Sequence, residues 1–185
     1  MDTLQNHMLI AMPGLDDPNF GRSVTYILEH NAEGAMGIVV NHPLPLCVSE
    51  LLAQLTIEHD ADSYAAQSHV VAGGPVQSDR GFVLHTPQHG YQSSLKLSDD
   101  LMVTTSKDIL EQLTSEHAPE KFILALGYAG WGAGQLEQEI ADNSWLIVPA
   151  DNRIIFDLAH GEKWQGAAAK MGISLWQLSP QAGHA

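Results

Sequence analysis

Hydrophobic positions along the chain gather in short blocks separated by turn residues, a pattern that predicts many brief strands and few helices. Met8 to Met12 is the first block, closed by Pro13 and Gly14. LDDPNFG, from Leu15 to Gly21, is turn chemistry, and Val24 to Leu28 is a β-branched and aromatic strand. Met36 to Val40 reads as the next strand, ended by Asn41 and Pro43, with Pro45 keeping the chain extended. His69 to Ala72 and Arg80 to Leu84 flank a Gly73-Gly74-Pro75 turn, and Leu101 to Thr104 and Ile154 to Leu158 are further strands. Glu58 to Gln67 and Thr86 to Ser94 read as loops.

Helical spacing occurs in few places. Ser49 is placed to cap a short helix carrying Leu51, Leu52 and Leu55. Ile109, Leu110 and Leu113 repeat at helical spacing behind a weak Thr105/Asp108 capping box, and EKWQGAAAKM from Glu162 to Met171 is an alanine-rich helix. The central unit is FILALGYAGWGAGQLEQEIADNSWLIVP, Phe122 to Pro149. It reads as a buried strand to Leu126, a glycine turn, a helix from Gln135 to Asp142 with Asn143 as left-handed cap, and a strand from Trp145 to Val148. About eight strands and four helices in irregular order argue for an α+β fold.

Composition narrows the function classes. A chain of 185 residues with 44% hydrophobic content suits one globular domain, here residues 1–178 with a flexible tail over 179–185. Twenty-two acidic against 8 basic residues give a formal charge of -14, which repels nucleic acid phosphate and anionic lipid. The single cysteine, Cys47, forms no intrachain disulfide and reads as a buried structural thiol. No apolar run approaches the ~20 residues that span a bilayer, and the amino terminus carries no secretory signal, so a cytoplasmic protein is expected.

The chemistry-bearing constellations are sparse. Gly130-Trp131-Gly132-Ala133-Gly134 lacks the lysine of a phosphate loop and the spacing of a dinucleotide motif, and Glu137 and Glu139 follow it. The glycines therefore serve close packing or the approach of a ligand. Glu137 and Glu139, two apart, diverge on a helix and read as a solvated face. Arg22, Arg80 and Arg153 each stand beside turn residues, where they pair with local carboxylates such as Asp16, Asp79 and Asp151 or converge on an anionic ligand. His85 and His89 are separated by Pro87, which breaks zinc-helix pairing, and no metal or cofactor motif is present.

FGRSV at 20–24, MGIVVNHP at 36–43, VAGGPVQSDRGFVLH at 71–85 and LGYAGWGAGQLEQEIADNSWLIVP at 126–149 together resemble the YqgE/AlgH family of bacterial proteins. The resemblance implies an α+β fold whose bifurcated, largely antiparallel sheet forms a small closed barrel with helices packed outside. It supplies no catalytic residues, and the name carries an association with transcriptional control of alginate production. His42 stands where the family commonly has Arg or Lys between Asn41 and Pro43. The resulting expectation is a binding module for a small anionic ligand or a protein, more a binder than an enzyme, with an indirect part in transcriptional regulation. The expected site joins Arg22, Asn41, Gly73, Gly74, Arg80, Gly130, Trp131 and Gly132. The alternatives are an enzyme acting on a small anionic metabolite, with His42 or Asp79 as its titratable group, and a direct DNA-binding regulator, which the charge disfavours.

Overall fold

The apolar run from Phe122 does not stop at its first glycine. In the computed structural model, which describes residues 3–175, it continues as one eleven-residue strand, β9 (Phe122–Gly132), through Gly127 and Gly130. The turn comes only at Ala133 and Gly134, where Gly134 at φ 74° starts the helix α2 (Gln135–Ala141). The expected glycine turn is thus largely strand, because these glycines allow other backbones to crowd β9 rather than bending it away.

The other strands are β1 (His7–Ala11), β2 (Val24–Asn31), β3 (Gly34–Val39), β4 (Pro43–Cys47), β5 (His69–Ala72), β6 (Val76–His85), β7 (Ser94–Lys96), β8 (Met102–Thr104) and β10 (Trp145–Pro149). The main sheet runs β10-β1-β2-β3-β9-β6-β8-β7, and β4 and β5 form an offshoot joined to β9. Every pairing is antiparallel except β5 with β9. The fold is α+β, a bifurcated and largely antiparallel sheet curled into a half-barrel, with its end strands β10 and β7 not paired to each other.

The bifurcation follows from hydrogen-bond geometry. A strand has two edges, and β6 holds one edge of β9 from Phe122 to Tyr128. The other edge is shared in sequence, by β5 at Ala125 and Leu126 and by β3 from Ala129 to Gly132. Between them Gly127 adopts φ 81°, and Gly73 bridges the fork by donating to Leu126 O at 2.8 Å and accepting from Val39 N–H at 2.8 Å. A Cβ on Gly74 would stand 2.1 Å from the Tyr128 carbonyl carbon, and one on Gly73 2.3 Å from Gly127 O. Gly73 and Gly74 thus meet β9 backbone to backbone.

Tyr26, Ile38, Phe82, Leu84 and Val103 fill the inside of the curl. Val83 and Leu124 point the opposite way, onto Val48 and Leu52 of the helix α1 (Val48–Gln54) and onto Ile109 and Leu113. Several local expectations need correction. Cys47, not Ser49, caps α1, and its N–H donates to Glu50 Oε1 at 3.0 Å, so the thiol is half-buried at a helix end rather than deep in the core. Ser106 precedes only a single turn over Lys107–Ile109, because the Asp108 carboxylate bonds Ser106 Oγ and the Gln92 N–H instead of closing a capping box. Ile154 to Leu158 is not a strand: Arg153–Asp157 forms a wide turn whose Ile154 and Ile155 plug the core. β7 lies at the end of the stretch read as loop. The expected tail, 179–185, lies outside the described residues.

The two glycine environments generate a stability test. Gly74→Ala puts a methyl onto the β9 backbone at φ 154° and is expected to lower unfolding stability by more than about 3 kcal/mol. Gly81→Ala adds a Cβ with nothing within 4 Å and is expected to stay within about 1 kcal/mol of the parent. Urea denaturation of both variants checks the pair; equal effects contradict the seam.

Candidate functional site

The eight expected site residues divide among four places. Asn41 is buried at the start of β2, and both ends of its amide are engaged: Oδ1 accepts from Val24 N–H at 2.8 Å and Nδ2 donates to Arg22 O at 2.9 Å. This clamp holds Arg22 at φ 56°, a left-handed conformation that a non-glycine residue keeps only when its surroundings fix it. The Arg22 guanidinium then lies 5.5 Å over the Trp164 ring, not against Asp16. Gly73 and Gly74 belong to the buried seam already described.

Arg80 projects from β6 at the other end of β2. Its guanidinium lies 5.1 Å over the Phe82 ring, and its one polar partner among the described residues is Gln77 Oε1 at 3.5 Å. Leu28, Met36, Phe82, Leu95 and Val103 line a cleft of about 360 Å³ beneath it, with Glu29 and Gln92 to Ser94 on the rim. Of the three arginines only Arg153 meets its expected carboxylate, Asp151, at 3.2 Å. Trp131 pairs with Ala35 on β3 and lines a neighbouring shallow cleft with Glu29, Glu33 and Met36. Gly130 and Gly132 flank it on β9, pairing Met36 and Gly34. The structure therefore brings Arg80 and Trp131 to adjoining clefts that share Glu29 and Met36, and leaves Arg22 and Asn41 about six strand residues away, roughly 20 Å.

The acidic face of α2 is not simply solvated. Glu139 Oε1 accepts both indole N–H groups, Trp131 at 3.1 Å and Trp145 at 3.0 Å, and Glu137 bonds His30 Nε2 at 2.8 Å. Both carboxylates tie the helix to the sheet, Glu139 by supplying the acceptor that buried indole N–H groups need and Glu137 through His30.

Reading the sequence also missed a polar cluster at the start of α3 (Lys163–Lys170). Lys163 is 1% exposed; its Nζ donates to Val40 O and to His160 Nδ1, both at 3.0 Å, and it has no carboxylate partner among the described residues. Burial pushes it down to about 7, and burial with the neighbouring Lys163 pushes His160 down to about 4. His42, which bonds Gly21 O at 3.2 Å, is also lowered by burial. The one hint in the sequence was Lys163 beside Trp164 in a chain with so few cations. Among the described residues no group of three or more His, Cys, Asp or Glu side chains is arranged to hold a metal ion.

An AlgH-like family model matches residues 8–176. The chain belongs to the AlgH-like family. A UPF0301 protein of Pseudoalteromonas translucida is 57% identical over the whole of both chains, and one of Idiomarina loihiensis 54%. The solution structure of the AlgH protein from Pseudomonas aeruginosa is 49% identical and superposes with a TM-score of 0.79, covering 99% of this chain and 96% of that one. A crystal structure from Corynebacterium diphtheriae, 18% identical, shares the fold at a TM-score of 0.72, over 94% of this chain and 90% of that one. This AlgH-like chain thus carries the family's curled sheet. None of its described helices is long and apolar enough to cross a membrane.

Lys163 gives a pH signature. Its folded value, about 7, lies below its ordinary 10.5, so between these values the unfolded chain binds more protons than the folded one, and stability rises with pH. The expected slope from pH 7 to 9 is on the order of 1 kcal/mol per pH unit, absent in Lys163→Met. His42, His85 and His160, all lowered, act in a separate window, where stability falls as the pH drops below 6.5. Urea midpoints across pH 5.5 to 9.5 check both windows.

Proposed function

We propose that this AlgH-like protein is a binding module whose site is the Arg80 cleft at the open end of the half-barrel. Its ligand is a small molecule with an apolar body and one anionic group. The observation that carries the reading is Arg80 itself: a guanidinium without a carboxylate partner among the described residues, stacked on Phe82 above apolar walls. In a chain of charge -14, a cation left unpaired beside a cleft supplies what the surrounding surface lacks. Leu28, Met36 and Val103 take the apolar part, and the guanidinium fork takes a carboxylate or sulfonate. Trp131, at the adjoining cleft, borders a longer ligand.

Any regulatory effect follows from occupancy of this cleft or from a protein that reads it, while direct reading of DNA is opposed by the acidic surface. Arg22 and Asn41 shape the opposite corner of the sheet and are assigned no part in ligand contact.

The probe is the anionic dye 1-anilinonaphthalene-8-sulfonate, with the uncharged N-phenyl-1-naphthylamine as its control. Amide shifts are expected at Met36, Phe82, Leu95 and Val103. Arg80→Ala is expected to weaken the sulfonate about tenfold or more, as loss of a charge-assisted hydrogen bond does, and to leave the neutral dye unchanged. Shifts elsewhere, or equal losses for both dyes, overturn the reading.

A further inference from the structure

A chain of hydroxyl groups crosses three strands on the outer face of the sheet, and its direction can be deduced. His85 is fully buried on β6. Its Nδ1 lies 2.8 Å from Thr86 O, and a carbonyl only accepts, so Nδ1 carries the proton. Burial lowers the imidazole's affinity for a second proton, which leaves Nε2 as a bare acceptor. Nε2 is 2.7 Å from Thr104 Oγ1, so the Thr104 hydroxyl donates to it. Thr104 then has no proton left to give, and Ser94 Oγ, 2.6 Å from the same oxygen, must donate to Thr104. Each proton along Ser94, Thr104 and His85 points toward the buried base.

Ser94 is the exposed end of this relay. It sits directly opposite Thr104 on β7, the terminal strand, whose outer edge has no partner among the described residues, so a reagent reaches it from that edge. Its hydroxyl shares the outer face of the sheet with Thr104 and Val83, while the neighbouring Leu95, opposite Val103, is the β7 side chain that faces the Arg80 cleft. Around the base, Tyr91 packs edge-on against His85 with ring centroids 5.8 Å apart, its buried hydroxyl unpartnered, and Asp108 bonds Ser106 and the Gln92 N–H rather than His85.

We infer that Ser94 is a nucleophilic serine, activated through Thr104 by His85, that acts on small carboxylic esters reaching the outer edge of β7. In the covalent step Ser94 Oγ bonds to the acyl carbon, the ester C–O bond breaks, and the alcohol leaves. The Ser94 proton passes to Thr104 as the Thr104 proton passes to His85 Nε2; His85 returns a proton to the alcohol by the same route. Water then attacks the acyl-serine and gives a proton to the relay, the bond from the acyl carbon to Ser94 Oγ breaks, and the relay returns that proton to Ser94 Oγ as the acid leaves. The Arg80 cleft opens on the other face of the sheet, so the reactivity of Ser94 does not rest on it.

An alkyl fluorophosphonate tests that reactivity: Ser94 Oγ displaces fluoride from phosphorus, and peptide mass spectrometry locates the adduct. The expected result is modification of Ser94 and not of its exposed neighbour Ser93, abolished in Ser94→Ala. Thr104→Val is expected to slow labelling by about 100-fold, while Thr104→Ser, which keeps the hydroxyl, restores it. No adduct at Ser94, equal labelling of Ser93, or an unchanged rate in a folded Thr104→Val protein overturns the proposal. The Ser93 comparison is made in the unaltered protein, so it decides even where a Thr104 variant does not fold. Hydrolysis of p-nitrophenyl acetate, in the parent and in Ser94→Ala, then reads turnover, which is expected in the parent and lost in the variant. Turnover that Ser94→Ala leaves unchanged overturns the esterase assignment.

Discussion

The structure depends on one backbone constraint: β9 offers two edges and is asked to pair with three strands. The answer is to divide one edge between β5 and β3 at Gly127, and the division is possible only where side chains are absent, at Gly73, Gly74 and Gly127. Glycine in a strand weakens it by roughly 0.5–1 kcal/mol relative to alanine, so these positions are tolerated for the crossing they permit. Because the fork sits midway along the longest strand, it separates the main half-barrel wall from the β4–β5 offshoot and fixes where each end of β2 lies. The distance between the Arg22 corner and the Arg80 cleft follows from it.

Polar burial is distributed by the same frame. Asn41, with an acceptor and a donor on one planar group, satisfies two backbone groups at the corner and allows Arg22 its left-handed φ. Glu139 does the equivalent for two indoles with a single oxygen. Lys163 is different in kind. Its two contacts accept hydrogen bonds from the amine without supplying negative charge, so burial costs its cation more than its neutral form. Replacing such a group by an apolar residue of similar length removes a desolvation cost, whereas the hydrogen bond to Val40 O is the part that fixes α3 against β3.

Much of this was legible in the sequence. The blocks at Met8, Val24, Met36, His69 and Trp145 became strands, and the Gln135 helix ended with Asn143 left-handed at φ 62°. The failures share a cause: they occur where tertiary contacts, not local preference, decide. Gly127 reads as a breaker because nothing local shows that a second backbone lies against it. Ile154 to Leu158 has strand composition but pairs with no strand among the described residues, and it closes into a turn that still buries Ile154 and Ile155. The arginines were read against neighbours in sequence, yet Arg22 and Arg80 rest on aromatic rings, one of them 142 positions away at Trp164. The relay from Ser94 to His85 joins residues on three strands, a juxtaposition no spacing rule encodes.

The distribution of cations bears on how an anion can reach this protein at all. Of the eight lysines and arginines, Lys96, Lys121, Arg153 and Lys170 contact carboxylates at Asp99, Asp157 and Asp151. Lys163 is buried, and Arg22, Arg80 and Lys107 are the exposed remainder with no carboxylate contact among the described residues. An approaching anion therefore meets a repulsive field at long range and attraction only within contact distance of one of these three. Screening acts mainly over distances beyond ~10 Å, so added salt removes more of the repulsion than of a contact made beside apolar walls. Arg80 adjoins an apolar cleft of about 360 Å³, which makes recognition there depend on the fit of the ligand's hydrocarbon part as much as on its charge. Bare inorganic anions, lacking that part, gain the contact without the burial and are discriminated against by the same geometry.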